Sequence, residues 1–178
     1  VYALTQLVKL AHYQKETKQA ISLTEQALKI HPDNIDILRQ YFEYHKDLSG
    51  LEVVSKAQDA NVDNVQYGIL LAEALMQLDE FKQASSVLSS YQQSVKTPKR
   101  YWQLLLAASA KQTEDKDIFS ILDKWHKTNA YHIEPVLLLA NYWSRKKLPD
   151  RAISVLNDAL KKHPNSVMLH LVKMQALL

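Results

Sequence analysis

The chain contains no cysteine. That excludes a disulfide framework, a thiolate metal site and a cysteine nucleophile. It leaves the compartment open, because a large helical protein needs no disulfides in either redox environment. Two glycines and five prolines in 178 residues leave little material for the tight turns of an all-β fold. No glycine-rich phosphate loop can be assembled from two glycines. No stretch approaches the roughly 20 apolar residues that span a bilayer. The net charge of +3 is too mild to point by itself to nucleic acid or an anionic membrane. There is no signal peptide and no initiator methionine. The opening "VYALTQLVKL" is already in helical rhythm and reads as excised from a longer chain.

What is present favours helix. Hydrophobic residues make up 47%, enough for a sizeable core, and Leu, Ala, Gln, Lys and Glu are the helix formers that dominate. The stretch "AISLTEQALKIHPDN" (Ala20 to Asn34) returns as "AISVLNDALKKHPNS" (Ala152 to Ser166) with eight of fifteen positions identical. Between these copies the small residue that opens each second helix, or its counterpart, falls at Ala20, Gly50, Ala84, Ile118 and Ala152. The intervals are 30, 34, 34 and 34 residues. The short interval can be located, because "KETK" (Lys15 to Lys18) has no counterpart after Leu48. Four residues are about one helical turn, so their loss shortens a helix or its turn without rotating the apolar face far.

The units are then 1–34, 35–64, 65–98, 99–132 and 133–166, with a further helix over 167–178. Each unit reads as two helices. In the first, unit positions 4, 7, 8 and 11 form an apolar stripe at helical spacing. It comprises Leu4, Leu7, Val8 and Ala11 in the first unit and Gly68, Leu71, Ala72 and Leu75 in the third. The fourth unit has Trp102, Leu105, Leu106 and Ser109, and the fifth has Val136, Leu139, Ala140 and Trp143. In the second helix, small residues at positions 20 and 27 let two helices approach closely, and Val54, Leu88, Leu122 and Leu156 fill the space between. Prolines fall at unit boundaries (Pro32, Pro98, Pro135, Pro164) or at an inner turn (Pro149), where no backbone donor is lost.

This 34-residue helix–turn–helix, with Ala at 20 and 27 and Pro at 32, resembles the tetratricopeptide repeat (TPR). "DEFKQASSVL" (Asp79 to Leu88) matches the inner turn and the start of the second helix. The resemblance covers the whole chain and implies an all-α fold, a right-handed α-solenoid of about five helix pairs plus a C-terminal helix, in one array over 1–178. Departures exist. The usual Gly at position 8 is replaced by Val8, Phe42, Ala72, Leu106 and Ala140. The fourth unit places Ile118 and Trp125 where small residues belong, which predicts a helix pair standing farther apart around 99–132. "EPVLLLANYWSRKKLPDRAISVLNDALKKHPNSVMLHL" further resembles the TPR arrays of bacterial PEP-CTERM-system lipoproteins.

The residues offer little chemistry. No HExxH or carboxylate constellation surrounds the seven histidines, and none lies four residues from another. His31 and His163 stand at helix ends before Pro, where the helix dipole favours a partly charged imidazole. His45 sits at a core position. No Ser–His–Asp arrangement can be assembled. These readings predict no catalytic residue, no metal and no cofactor. The basic runs "KTPKR" and "SRKKLPDR" fall at turns and read as solvated residues. Nucleic-acid binding wants a continuous basic stripe with stacking aromatics, and Glu43, Asp47 and Glu73 interrupt one.

Positions 2, 5, 9 and 12 of each first helix lie roughly 130° around from the core stripe, by the 3.6-residue turn. In TPR arrays that side lines the concave groove, and the resemblance implies a ligand surface there. It reads Tyr2, Thr5, Lys9 and His12; then Asp36, Arg39, Glu43 and Lys46; then Gln66, Ile69, Glu73 and Met76. It continues as Arg100, Gln103, Ala107 and Ala110, then Glu134, Leu137, Asn141 and Ser144. Glu43 and Glu73 would repel a carboxylate brought to Lys9, which disfavours the terminal-carboxylate clamp of chaperone-binding TPR proteins. The face turns from charged to apolar at Ile69, Met76, Ala107 and Leu137, which suggests a helix or extended segment held by hydrophobic side chains. The competing reading packs Ile69 and Leu137 on neighbouring first helices.

The expectation is therefore a non-enzymatic scaffold that holds a protein or peptide in its groove, with no nucleic acid and no membrane span. A bacterial cell-envelope role in polysaccharide export or protein sorting follows from the narrower resemblance; the alternative is a cytosolic adaptor in complex assembly. The helix "VMLHLVKMQALL" (167–178) is apolar almost all round, whereas a terminal helix of an array needs a polar outer face. It predicts a chain that continues and a helix that self-associates or frays there.

Overall fold

The computed structural model describes residues 2–13, 16–91, 93, 96–112 and 115–177, without the side chains of 2–5, 9, 12, 115 and 116. Among the described residues it holds eleven α-helices and no strand. The helices fall at the expected places. They are α1 (Tyr2–Tyr13), α2 (Thr17–Ile30), α3 (Ile35–Tyr44), α4 (Leu48–Asp59), α5 (Val65–Gln77), α6 (Phe81–Ser89), α7 (Lys99–Ala110), α8 (Asp115–Thr128), α9 (Ile133–Arg145), α10 (Pro149–Lys162) and α11 (Val167–Ala176). The chain divides into two compact units, Val1–Gln92 and Gln93–Leu178.

The boundaries repeat because the capping chemistry repeats. Asn34 and Asn64 close their repeats, and each side chain accepts a backbone N–H from the next helix, Ile37 at 3.1 Å and Gln66 at 3.0 Å. Ser166 does the same for Leu169. These groups satisfy donors that a helix start leaves orphaned. At the inner turns, Asp79 and Lys147 take φ of 60° and 57°. There the Glu80 N–H reaches back to the Leu75 carbonyl at 2.9 Å, and the Leu148 N–H to Trp143 at 3.0 Å. This is the left-handed helix ending with its six-to-one hydrogen bond, made without glycine.

The missing turn of the second repeat falls on α3, 10 residues long against 13 in α5 and α9. Its consequence is Gly50. A Cβ on Gly50 would lie 1.9 Å from the His45 carbonyl oxygen, so the shortened turn admits no side chain where the other repeats carry Ala or Ile. Asp47 caps α4 across the same turn by accepting from Ser49 and Gly50.

Packing follows the expected stripe with corrections. Val8, Ala11, Gly68, Leu71, Ala72, Leu75, Trp102, Leu105, Val136, Leu139 and Ala140 are buried, as are Ala20, Ala27, Gly50, Ala57, Ala84, Ala152 and Ala159. Leu7 is not: it is 48% exposed, so the buried edge of α1 is narrower than the four-position stripe. Trp143 is half-buried, its ring centroid 5.0 Å from that of Phe119, with the Arg151 guanidinium 4.7 Å above it. His45 is not a core residue either. It is the half-buried C-cap residue of α3, its ring tilted against Tyr41 with centroids 4.4 Å apart and its Nε2 3.7 Å from the Glu25 carboxylate. His31 and His163 are C-cap residues, as their place before Pro predicts. On α11, Leu169 is buried while Val167, Met168, Leu171 and Met174 are exposed.

Candidate functional site

In the first unit, α3 and α5 pack directly on each other, and their outward residues satisfy one another. Arg39 of α3 forms an ion pair with Glu73 of α5. Gln77 of α5 donates to Glu43 of α3 at 3.3 Å, and Lys46 stands 2.7 Å from the same Glu43 carboxylate. The Lys46 hydrogen bond holds the Glu43 carboxyl below the usual range against partial burial, with Gln77 adding to it. Ile69 is not an open anchor. It lies one turn before Glu73 on α5 and is 2% exposed. Met76 is half-buried. The side chains of Tyr2, Thr5, Lys9 and His12 lie outside the described residues.

In the second unit the corresponding pair is open. α7 and α9 do not pack on each other along their length, although α9 and α11 do. The cause lies in α8. Trp125 is fully buried and stacks on Trp102 at 6.1 Å with the rings 4° from parallel. Its Nε1–H donates to His132 Nδ1 at 3.1 Å, which ties α8 to the start of α9. The indole stands where the first, second and fifth repeats carry alanine and the third carries Tyr91, and interiors pack too densely to absorb such a volume without displacement. Backbone contact between α7 and α8 is sparser than in the α5–α6 and α9–α10 pairs but closer than in the α3–α4 pair, whose second helix carries Gly50 and Ala57.

The space left over is a pocket of about 760 Å³. Ile118, Leu122 and Trp125 of α8 form one side of its lining. Gln103, Leu106, Ala107 and Ala110 line it from α7, and Glu134, Leu138, Asn141, Tyr142 and Arg145 from α9, with Lys146 just beyond. At the end where α7 and α9 begin, the Gln103 amide donates to Glu134 at 2.9 Å, and Lys99 makes an ion pair with the same carboxylate. Burial works against ionisation of Glu134, but the Lys99 and Gln103 hydrogen bonds outweigh it and hold the carboxyl below its ordinary range. That end is latched and electrically satisfied.

Of the expected ligand-facing residues, Gln103, Ala107, Ala110, Glu134 and Asn141 come together here. Leu137 does not; it packs half-buried against the cluster of Val136, Ala140, Leu156 and Leu169. Leu106, assigned to the core stripe, is half-buried and lines the pocket instead, beside Ile118, Leu122 and Trp125 of α8. Ile118, Trp125, Arg145 and Lys146 were legible only as a departure from the small-residue rule and as a basic turn.

Among the described residues no group of three His, Asp or Glu is placed to hold a metal ion, and no helix is long and apolar enough to cross a membrane. His126 is held below the ordinary histidine range by burial and then by the charge of Lys162. Its Nδ1 is buried without a partner, which suits a neutral packed ring.

No protein-family model and no curated protein matches the sequence. Solved structures do match in fold. YrrB, described as a TPR protein with an unusual peptide-binding site, aligns with a TM-score of 0.54 at 14% identity over 97% of this chain and 89% of its own. A thermophilic TPR protein of Thermus thermophilus gives 0.54 at 18% identity, covering 99% of this chain and 98% of its own. PilW, described as a widely conserved type IV pilus biogenesis factor, gives 0.59 at 16% identity, covering 99% and 85%. The chain has the helical-repeat fold of TPR proteins.

Proposed function

We propose that the protein is a non-enzymatic interaction scaffold that holds a peptide or protein segment against its first-helix face. The observation that carries this reading is the open α7–α9 pocket, apolar on its α8 side and polar at both ends. Its volume lies within the roughly 300–1,000 Å³ of sites that enclose small ligands, and it is open where α3 and α5, the pair in the first unit, are in direct contact. The peptide-binding site described for YrrB is in keeping with it. The finer reading is a bacterial cell-envelope protein of polysaccharide export or protein sorting, supported by the resemblance over 134–171; the alternative is a cytosolic adaptor in complex assembly.

The test is capture of a partner from the organism's own extract by the intact chain. Ala107→Trp, at an exposed pocket position, is expected to abolish capture, and Lys161→Glu on the outer face of α10 to leave it unchanged, with circular dichroism confirming the fold of both. Capture that survives Ala107→Trp but not Lys161→Glu would move the site to the second-helix face. The exposed apolar side of α11 supports self-association through 167–178. Sedimentation of the chain and of Leu171→Glu is expected to show association lost in the variant; a monomeric parent chain rejects it.

A further inference from the structure

We infer, resting on the scaffold reading, that binding in the α7–α9 pocket is regulated by acid: protonation of His132 undoes the contact that seats Trp125 and weakens the hold on a peptide. Trp125 is fully buried and forms part of the pocket wall. Its indole N–H donates to His132 Nδ1 at 3.1 Å, with the two rings edge to face. The backbone fixes both ends of that bond. The Asn129 N–H donates to the Trp125 carbonyl, and the His132 N–H to the Asn129 carbonyl, each at 2.9 Å. An indole nitrogen can only donate, so His132 Nδ1 is the unprotonated nitrogen of a neutral ring.

An imidazolium carries a proton on both nitrogens and accepts nothing. Charging His132 therefore sets two donors against each other and leaves a buried indole N–H without an acceptor, a costly state away from water. The relief is a conformation in which the ring has turned away and Trp125 is no longer fixed. A peptide that needs the fixed wall then binds more weakly, in proportion to the share of molecules that retain it. The sign follows. The pocket is intact while His132 is neutral and is lost as pH falls through the range where imidazoles take up a proton.

The charges around the ring are already engaged. Glu134, two residues along α9, feels the His132 charge but is paired with Lys99 of α7 and hydrogen-bonded by Gln103. Burial opposes its ionisation, yet those partners hold it below the ordinary carboxyl range, so it stays charged while His132 titrates. On α8, Asp123 pairs with Lys127. On α10, Asp158 and Lys162 face His126, a ring that burial and then Lys162 hold below the ordinary histidine range. His163, at the end of α10, stands edge-on to Tyr131. On α11, which packs on α9, His170 is bonded to the Pro164 carbonyl and Lys173 lies in the last turn.

The experiment pans a displayed library of random peptides on the intact chain at about pH 7.5. The library is built without Asp, Glu or His, so that the probe does not titrate across the imidazole range. An enriched peptide, resynthesised with a rhodamine label, is titrated into the chain at about pH 7.5 and about pH 5.5. Wild type is expected to bind about tenfold more weakly at the lower pH, the order of loss that an orphaned buried donor produces. His132→Asn sets a neutral amide oxygen near the place of Nδ1. It is expected to bind like wild type at the higher pH and to lose less than about twofold at the lower. Trp125→Phe removes the N–H and keeps an aromatic ring, so it is expected to lose the pH dependence too; it decides the matter if His132→Asn does not fold by circular dichroism. His163→Asn is expected to keep the tenfold fall. Ala107-dependent binding that is unchanged by acid, or whose fall survives His132→Asn or vanishes in His163→Asn, overturns the inference and leaves the scaffold reading standing. No enrichment at all, or binding indifferent to Ala107→Trp, overturns both.

Discussion

Two pairs of neighbouring first helices in this chain have met the same packing problem with opposite results. Between α3 and α5 the helices touch, their charged residues cross to one another, and Ile69 of α5 is 2% exposed. Between α7 and α9 the helices are latched at one end by Lys99, Gln103 and Glu134, and a pocket of about 760 Å³ opens beyond the latch. The first-helix residues alone do not account for this. What differs is the second helix behind each pair: α4 presents Gly50 and Ala57, whereas α8 presents Ile118 and Trp125. The enlarged residues also form one side of the pocket, so the second helix shapes the space both by its volume and by its surface.

If Trp125 is the wedge, removing it should break the contrast. Trp125→Ala is expected to cost about 3–5 kcal/mol, the range for emptying a buried aromatic site. The loss should fall on the second unit, because Trp125 holds both the stacking on Trp102 and the hydrogen bond to His132. Denaturant unfolding with the two units followed by separate labels reads this. A loss below about 1 kcal/mol would mean that the space is set by some other part of the helices.

The mirror experiment drives a wedge into a closed pair. Ala152 is fully buried against Val136, Ala140 and Leu156, so Ala152→Leu is expected to cost about 1–3 kcal/mol by overpacking. It should also loosen α9 from α10, seen as faster hydrogen exchange in both helices. Thermal unfolding unchanged by Ala152→Leu would mean that position 20 does not set helix separation in this fold.

Much of this architecture was readable in the residues, and the unreadable part has a definite cause. Helix bounds followed from the 34-residue period because each period carries its own caps and turn, Asn34, Asn64 and Ser166 among them. The missing turn could be located from the absent "KETK" counterpart, but not its demand for Gly50, since the His45 carbonyl approaches only once the helices are folded. The site was half legible. Helical periodicity identified Gln103, Ala107 and Asn141 as one face, yet periodicity describes a single helix. Whether a neighbouring helix covers that face depends on how the helices pack together, and so Ile69 is buried while Leu106, expected inside, lines the pocket. Trp125 was visible as an anomaly, and its meaning was the pocket.

The smallest effect expected tests whether the closed pair is electrically finished. The Arg39–Glu73 pair has side chains 44% and 12% exposed, and exposed pairs of this kind contribute about 0.2–1 kcal/mol. A double-mutant cycle with Arg39→Gln and Glu73→Gln should return a coupling in that range, shrinking as salt screens it. The direct-packing contacts of α3 and α5, rather than the charges, then hold that pair shut. The same logic separates the two regions in binding. Arg39 is committed to Glu73, so Arg39→Glu is expected to change affinity for a captured peptide by less than about threefold, against the loss of binding expected for Ala107→Trp. Fluorescence titration of one labelled peptide against both variants makes the comparison directly. Equal losses would show that the ligand reaches α3 as well, and that the closed pair is part of the site.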